Sequence, residues 1–178
     1  MTEYDSALPA TIPVGQGVSM TFLRDHAHLS RVHIEKGVLE EFQVPAHWHE
    51  EHDELFRVIE GRLEVRLGPE TKFCTAADGE ICIPKGIVHS LRVVMGEECI
   101  FEERTDPMDD GKELFFRNAL AGGKQVRHFF QAMLIMYHGD TRPALPLHSK
   151  WLEKTLVSVI GYYVAPFLGY KLAVPSLK

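Results

Sequence analysis

Apolar and polar positions alternate along much of residues 18–103, and turn residues interrupt the alternation at short intervals. Residues 62–67 show the pattern most clearly, because charged residues alternate there with Leu63, Val65 and Leu67. Successive side chains of a strand point to opposite faces, so these three residues are expected to face a core. The other segments with a strand pattern are residues 18–22, 32–35, 38–44, 55–60, 72–75, 80–83, 89–94 and 99–103.

Short strands separated by regularly spaced turns indicate an antiparallel sandwich or barrel. A fold of alternating strands and helices would need helical patterns between the strands, and residues 18–106 show none. Residues 1–17 are polar and rich in Pro and Gly, so we expect an arm without regular structure. Pro45 is expected to end the strand that begins at Val38. The pattern therefore predicts an all-β core over residues 18–106.

The pattern changes near Asp106 and predicts a helical extension over residues 107–178. Its helical segments are residues 113–121, residues 124–137 and a last helix that begins near Trp151. Polar residues that can cap the first and the last helix precede them, namely Asp109 or Asp110, and Ser149. Residues 142–146 are expected to form a stiff linker. We expect the extension to pack on the barrel or on a partner subunit.

Residues 155–170 carry no charge and are interrupted by Gly161 and Pro166. A membrane span needs roughly 20 apolar residues, so this stretch is short for one. We favour a helix that covers one end of the barrel or is buried in a partner subunit. Membrane contact remains the alternative.

Composition and charge limit the classes of partner and the cellular compartment that we expect for this chain. The chain has 178 residues, a formal net charge of -6 and no long Lys/Arg cluster, which argues against nucleic acid as a partner. Its three cysteines lie in apolar segments and include no CxxC, which favours buried thiols in a reducing compartment. Residues 1–13 lack the basic start and apolar run of a signal peptide, so we expect a cytoplasmic protein.

The chemistry concentrates in residues 47–54, which hold three imidazoles and four carboxylates. In a strand, His47 and His49 share one face while Trp48 takes the other, where packing is its expected role. A carboxylate follows at Glu54, so this segment has the composition of half a metal site. His89 follows a turn with Pro84 and Gly86 and is the candidate for the other half.

At these residues the sequence resembles the cupin superfamily. Its first motif is HxH, three or four residues, Glu, six residues and Gly, which His47, His49, Glu54 and Gly61 match. The second motif is matched by Pro84, Gly86 and His89. The departures are Glu41 and Asp78 in place of glycines and Val93 in place of an asparagine, which are turn and packing positions rather than ligands.

The resemblance implies a small jelly-roll barrel in which His47, His49, Glu54 and His89 bind one divalent metal. Three imidazoles and a carboxylate suit Fe(II), our first choice, and also Zn(II), Mn(II), Ni(II) or Co(II). Four protein ligands leave open positions on a six-coordinate ion for water, dioxygen or a substrate. The pair His26 and His28 has the same spacing, but no carboxylate follows in register, so we assign it to the surface.

Two further residues near the ligands are candidates for catalysis. His52 and Glu51 could move a proton beside the metal. The other possibilities for His52 are a hydrogen bond to a metal ligand or a solvent-facing turn.

Strand parity predicts which side chains line the interior. The predicted substrate-binding residues are Phe56, Val58, Leu63, Ile81, Leu91 and Phe101. Such a pocket suits an aromatic or polyketide-like molecule, although these residue types more often form a simple core.

Several functions are compatible with this pattern. We expect a metal-dependent enzyme that acts on a small, largely apolar metabolite, with dioxygenase chemistry favoured. The alternatives are isomerisation, cyclisation or decarboxylation with the metal as Lewis acid, a non-catalytic small-molecule-binding cupin, and a scaffold that uses residues 155–170. A homodimer is expected, because an open jelly roll has edges to protect.

Overall fold

The computed structural model describes residues 8–24, 26–122, 126, 128–147 and 149–177. Its strands form two antiparallel sheets, ordered β1-β2-β3-β10-β5-β8 and β11-β4-β9-β6-β7. This is the sandwich or barrel that the strand pattern predicts, in the jelly-roll arrangement that the resemblance implies. The strands are β1 (Thr11–Gly15), β2 (Val18–Phe22), β3 (Ser30–Ile34), β4 (Phe42–Trp48), β5 (Asp53–Glu60), β6 (Leu63–Leu67), β7 (Glu70–Cys74), β8 (Glu80–Ile83), β9 (His89–Val93), β10 (Cys99–Asp106) and β11 (Arg142–Pro143).

The apolar core lies between the two sheets and follows the alternation in the sequence. In β6, Leu63 and Val65 are buried, whereas the side chain of Glu64 forms an ion pair with Arg92 of β9 on the other face. Burying a side chain of this size contributes roughly 1.5–3 kcal/mol. Phe56 and Phe101 join the same cluster from β5 and β10, so both sheets contribute to a single core.

The N-terminal segment is more regular than its composition suggests. Thr11–Gly15 forms β1 and pairs with β2, so the expectation of an irregular arm is wrong for these residues. Pro13 fits because β1 is an edge strand, where a missing N–H costs little. The register shifts between Pro13 and Gly15.

Pro45 does not end β4, contrary to the prediction. The strand begins only at Phe42 and runs through Pro45 to Trp48, with an irregular register between Val44 and His47. Proline cannot donate to the ladder, so the pairing with β9 is interrupted at this point and resumes beyond it. It resumes with His47 opposite His89.

The extension contains the predicted helices with shifted boundaries. They are α1 (Asp110–Ala119), α2 (Phe129–His138) and α3 (Lys150–Ser158), which continues as a π-helical segment (Val159–Val164) and a final turn, α4 (Ala165–Phe167); a 3-10 turn (Ala76–Asp78) lies between β7 and β8. Asp109 caps α1 by accepting from the Gly111 N–H at 2.8 Å, and Ser149 caps α3. The predicted second helix begins later than expected, at Phe129; residues 123–125 and 127 lie outside the described residues.

The predicted stiff linker contributes a strand to the barrel. Arg142–Pro143 forms β11 and pairs with β4, placing Arg142 opposite Trp48 and Pro143 opposite His47. Trp48 points away from the barrel interior, and its Nε1 donates to Glu153 of α3 at 2.8 Å. The extension is therefore joined to β4 by a backbone ladder and by a buried side-chain hydrogen bond.

The uncharged stretch packs on α2 through its smallest residues, and Gly161 and Ala165 are buried. Several large side chains remain exposed, namely Trp151, Tyr162, Tyr163, Phe167 and Leu168. Among the described helices, none has the length and hydropathy needed to cross a membrane. The homodimer stays a prediction.

The cysteines differ from one another in exposure. Cys74 and Cys99 are buried, as expected, and burial raises the pKa of the Cys99 thiol to about 12. Cys82 is exposed, so the expectation of three buried thiols is wrong for this residue. Its neighbour Ile83 takes the inward face of β8, which directs Cys82 outward.

Gly161 provides a test of the helical packing. A Cβ at this position would lie 2.4 Å from the Met133 carbonyl oxygen and 2.5 Å from Tyr137 Cβ. Because backbone atoms of α2 cannot move aside freely, we expect Gly161→Ala to lower the free energy of unfolding by about 1–3 kcal/mol. The control is Gly15→Ala, where a Cβ meets nothing within 4 Å. Urea unfolding followed by circular dichroism measures both; equal stability of the two variants would contradict this packing.

Candidate metal centre

Four predicted ligands meet in the barrel interior. His47 lies near the end of β4, His49 follows that strand, His89 begins β9, and Glu54 comes from β5 in the opposite sheet. One ligand atom from each of the four lies within 4.8 Å of the others. All four side chains are buried, so the two sheets bring these polar groups together in the interior of the barrel.

Backbone carbonyls fix the orientation of all three imidazoles. The Nδ1 atoms contact the carbonyl oxygens of Pro45 (His47, 2.8 Å), Asp140 (His49, 2.8 Å) and Ile87 (His89, 2.9 Å). A carbonyl oxygen can only accept, so each Nδ1 carries the hydrogen and donates it. Each neutral ring therefore presents its Nε2 lone pair, the arrangement found in metal-binding histidines.

The Nε2 atoms fit a bound cation. His89 Nε2 lies 2.7 Å from Glu54 Oε2, and His49 Nε2 lies 3.6 Å from the same oxygen. Among the described residues, no hydrogen-bond partner satisfies the buried His49 Nε2. A lone pair and a carboxylate at such distances need a shared proton or metal ion between them. Nitrogen and oxygen donors of this kind suit a divalent transition metal.

The electrostatics keep the ligands in the protonation states that a metal needs. Burial lowers the pKa of His47 well below its ordinary value and, with the Lys112 charge, lowers the pKa of His49 to about 4. Burial would raise the pKa of Glu54, but the charge of Lys112 and the contacts with His49 and His89 hold it well below its usual range. His47 and His49 are therefore neutral and Glu54 is ionised near pH 7.

Asp140 positions the loop that follows β4, and the sequence analysis did not identify it. Its carbonyl holds His49, and its carboxylate accepts from the backbone N–H of Glu50 and of Glu51, the latter at 2.8 Å. Burial would raise the pKa of Asp140, but hydrogen bonds from His52 and these two N–H groups lower it to about 2. The sequence offered one signal for a special role of Asp140, namely its position directly after Gly139, which follows the last residue of α2. Asp140 adopts a left-handed φ of 46° there.

The structure brings one of the two predicted catalytic residues to the centre. His52 stacks on His49 with ring centroids 4.3 Å apart, and its Nδ1 lies 3.0 Å from the Asp140 carboxylate. Its buried Nε2 has no hydrogen-bond partner among the described residues. The side chain of Glu51 is exposed, and the contact of this residue with Asp140 is through its backbone N–H. His52 therefore has the better position for proton transfer.

Two further ionisable side chains in the interior were also missed. Lys112 of α1 is 5% exposed, and its Nζ lies 3.6 Å from Glu54 Oε1. Glu103 of β10 lies opposite Phe56, and burial together with the Glu54 charge raises its pKa to about 8. Phe101 was predicted to face inward, and Glu103 lies two residues further along the same strand, so the sequence already implied that Glu103 faces inward as well. No strand pattern points to Lys112, because it belongs to a helix far along the chain.

The predicted substrate-binding residues lie in the barrel core. The fully buried members are Phe56, Val58, Leu63, Leu91 and Phe101, and Ile81 packs against them partly buried. Phe56 lies one inward position along β5 from Glu54 and pairs with Ile81, and Leu91 lies one inward position along β9 from His89. Contact with a substrate stays a prediction. A cavity of about 350 Å³ lies elsewhere, lined by residues that include His28, Arg57 and Glu80 but none of the four ligands.

The pair His26 and His28 is only partly at the surface. His26 is exposed, but His28 is 4% exposed, so the surface assignment is wrong for it. Its Nδ1 lies 3.6 Å from Glu102, whose carboxylate already binds Arg31 and Arg57. These guanidinium groups neutralise the charge of Glu102 and occupy its carboxylate oxygens, which makes the carboxylate less available to bind a metal ion.

Glu103 makes stability depend on pH. Its pKa of about 8 in the folded protein lies above the model-peptide value of 4.5. The contribution of Glu103 to the free energy of unfolding is therefore fully present below about pH 4.5, and it is lost as the pH rises through 8. We expect Glu103→Gln to remove this loss, on the order of 1–3 kcal/mol between pH 5 and 8. Urea unfolding of both proteins with a chelator present measures it, because a bound ion would change the local charge. Parallel pH profiles for the two proteins would contradict the assignment.

Comparison with known proteins gives one family match and several similar solved structures. Residues 30–101 match the family profile described as Cupin domain. A similar solved structure is KdgF from Halomonas sp., at 19% identity and a TM-score of 0.41, covering 56% of this chain and 90% of that one. An RmlC-like cupin from Shewanella frigidimarina has 19% identity and a TM-score of 0.42, covering 58% and 88%.

The lyase DddQ from Ruegeria pomeroyi is also similar, at 16% identity and a TM-score of 0.33, covering 49% of this chain and 36% of that one. No curated protein matches the chain. The matched segment contains both histidine motifs and most strands of the two sheets. The barrel of this chain is a cupin domain.

Proposed function

We propose that this chain is a metal-dependent enzyme that acts on a small metabolite through one divalent transition metal. The observation that carries the proposal is the convergence of three oriented imidazoles and one ionised carboxylate in a buried site. The residues that would hold the ion are His47, His49, Glu54 and His89. When bound, the ion supplies Lewis acidity or, if it is Fe(II), redox chemistry, with open positions for substrate.

The chain itself contributes orientation, exclusion of water and a proton carrier. The buried strands exclude water, and backbone carbonyls prevent the imidazoles from rotating. The Asp140 carboxylate fixes His52 through Nδ1, which leaves Nε2 as the atom that can accept or donate a proton. We assign this role to His52 rather than to the exposed Glu51.

Two reaction classes can use this site. Dioxygenation is the class favoured by the sequence, with Fe(II) as the metal. Isomerisation, cyclisation or decarboxylation is supported by a specific observation, the imidazole of His52 held by Asp140 beside the ligands. Oxygen uptake on aerobic addition of a substrate supports the first class, whereas equal turnover without oxygen supports the second.

A non-catalytic binding protein is the remaining alternative. The two predictions are separated by a panel of small organic acids and aromatic metabolites incubated with the metal-loaded protein. Metal bound in stoichiometric amount without turnover of any panel member would favour a binding protein. Turnover that is lost in His52→Ala while the metal is retained would favour the enzyme.

Metal content tests the site directly. We expect elemental analysis of the purified chain to give about one transition-metal ion per chain. His49→Ala should lower the affinity more than tenfold, because it removes one of four ligands. The control is His26→Ala, which changes an exposed histidine of the other HxH pair. Equal metal content in all three proteins would overturn the assignment.

Asp140 provides a second test, because it supports two imidazoles without being a proposed ligand. Asp140→Asn keeps the backbone carbonyl that holds His49 but removes the charge beside His52. We expect metal affinity to fall about 10-fold, within the range seen for residues that orient metal ligands. Titration against a competing chelator measures it, with Asp78→Asn as the control at an acidic residue in the Ala76–Asp78 turn. A larger loss in the control would contradict the role of Asp140.

A further inference from the structure

Lys112 is a buried cation without a hydrogen-bond acceptor among the described residues. Its side chain is 4% exposed, and the nearest carboxylate oxygen is Glu54 Oε1 at 3.6 Å. The rings of Phe115 and Phe116 lie 5.5 and 5.4 Å from Nζ and offer it weaker, cation–π contacts. Glu54 balances the charge of this ammonium group, but at 3.6 Å it leaves the N–H donors of Nζ without a hydrogen bond from the described residues.

The ammonium lies beside the metal-binding cluster. The two carboxylate oxygens of Glu54 have different neighbours. Oε2 faces His89 and His49, whereas Oε1 faces Lys112. A molecule that reaches the ligands therefore also meets Lys112.

The charge balance of the interior favours an anion. Among the described residues, Glu54 is the one carboxylate within ion-pair distance of Lys112. A divalent ion together with Lys112 would then leave an excess of positive charge in a buried site. Such an excess is stabilised when an anionic ligand enters.

We propose that Lys112 binds the anionic group of the substrate, which is a small organic acid whose carboxylate contacts Nζ beside Glu54. The inference rests on the proposed metal-dependent function and adds the substrate class to it. It also modifies the expectation from the sequence, which considered only apolar lining residues. An aromatic or aliphatic carboxylate satisfies both Lys112 and the apolar neighbours Phe56 and Ile81.

The test compares two probes that differ in charge but hardly in shape, lactate and lactamide. The protein is loaded with Co(II), and each probe is titrated while the visible absorption of the ion is followed. For Lys112→Met we expect the dissociation constant for lactate to rise at least about 10-fold, since a buried charge-assisted contact is lost. The constant for lactamide should change less than about twofold, because the amide has no charge for Lys112 to bind.

Control variants separate charge from folding. Lys36→Met removes an exposed lysine of the turn after β3 and should leave both constants unchanged. Lys112→Arg keeps the charge and should retain a preference for lactate over lactamide, even if the larger group lowers both affinities. If Lys112→Met does not fold, Lys112→Gln is used instead, with circular dichroism as the check.

The outcomes distinguish this proposal from the one on which it rests. If wild-type protein binds no Co(II), the metal-dependent function fails and the substrate class fails with it. If Co(II) binds but Lys112→Met weakens lactate and lactamide equally, Lys112 only supports Glu54 and the substrate proposal alone is overturned. Unchanged lactate binding in Lys112→Met overturns it as well. A selective loss of lactate binding supports it.

Discussion

The pairing of β4 with β9 is the constraint on which the candidate site depends. Because the ladder resumes beyond the irregularity at Pro45, His47 lies directly opposite His89 and both imidazoles reach the interior. A shift of one residue would turn His47 outward and bring Trp48 into the core. The hydrogen bond from His47 Nδ1 to the Pro45 carbonyl shows that the same local irregularity also orients the ring.

The helical extension completes the site rather than merely covering the barrel. Asp140, between α2 and β11, supplies the carbonyl and carboxylate that hold His49 and His52. Lys112 enters the interior from α1 and balances the charge of Glu54. The β11 ladder and the Trp48–Glu153 hydrogen bond join the extension directly to the strand that carries His47.

Local patterns predicted the strands better than they predicted the places where strands are interrupted. The alternation in residues 62–67 identified β6 almost to the residue, because one face of it is buried and the other is not. Pro45 and Thr11–Gly15 were misassigned, since proline and glycine discourage a strand locally but do not forbid one at an edge or a bulge. In the second helix, the apolar spacing was right but the start was several residues too early.

The sequence by itself determined a sandwich or barrel through its strand alternation, and through the cupin motifs that it resembles it implied the jelly roll and the four candidate ligands. Both signals depend on the spacing of residues along the chain. The alternation also gave the inward face of β10, from which Glu103 could have been identified. Only the tertiary structure decided that Asp140 and Lys112 belong to the site, because their contacts join residues far apart in the chain. It likewise placed the side chain of His52, and not that of Glu51, against the candidate ligands, since burial and an acceptor for Nδ1 depend on which loop packs against β4.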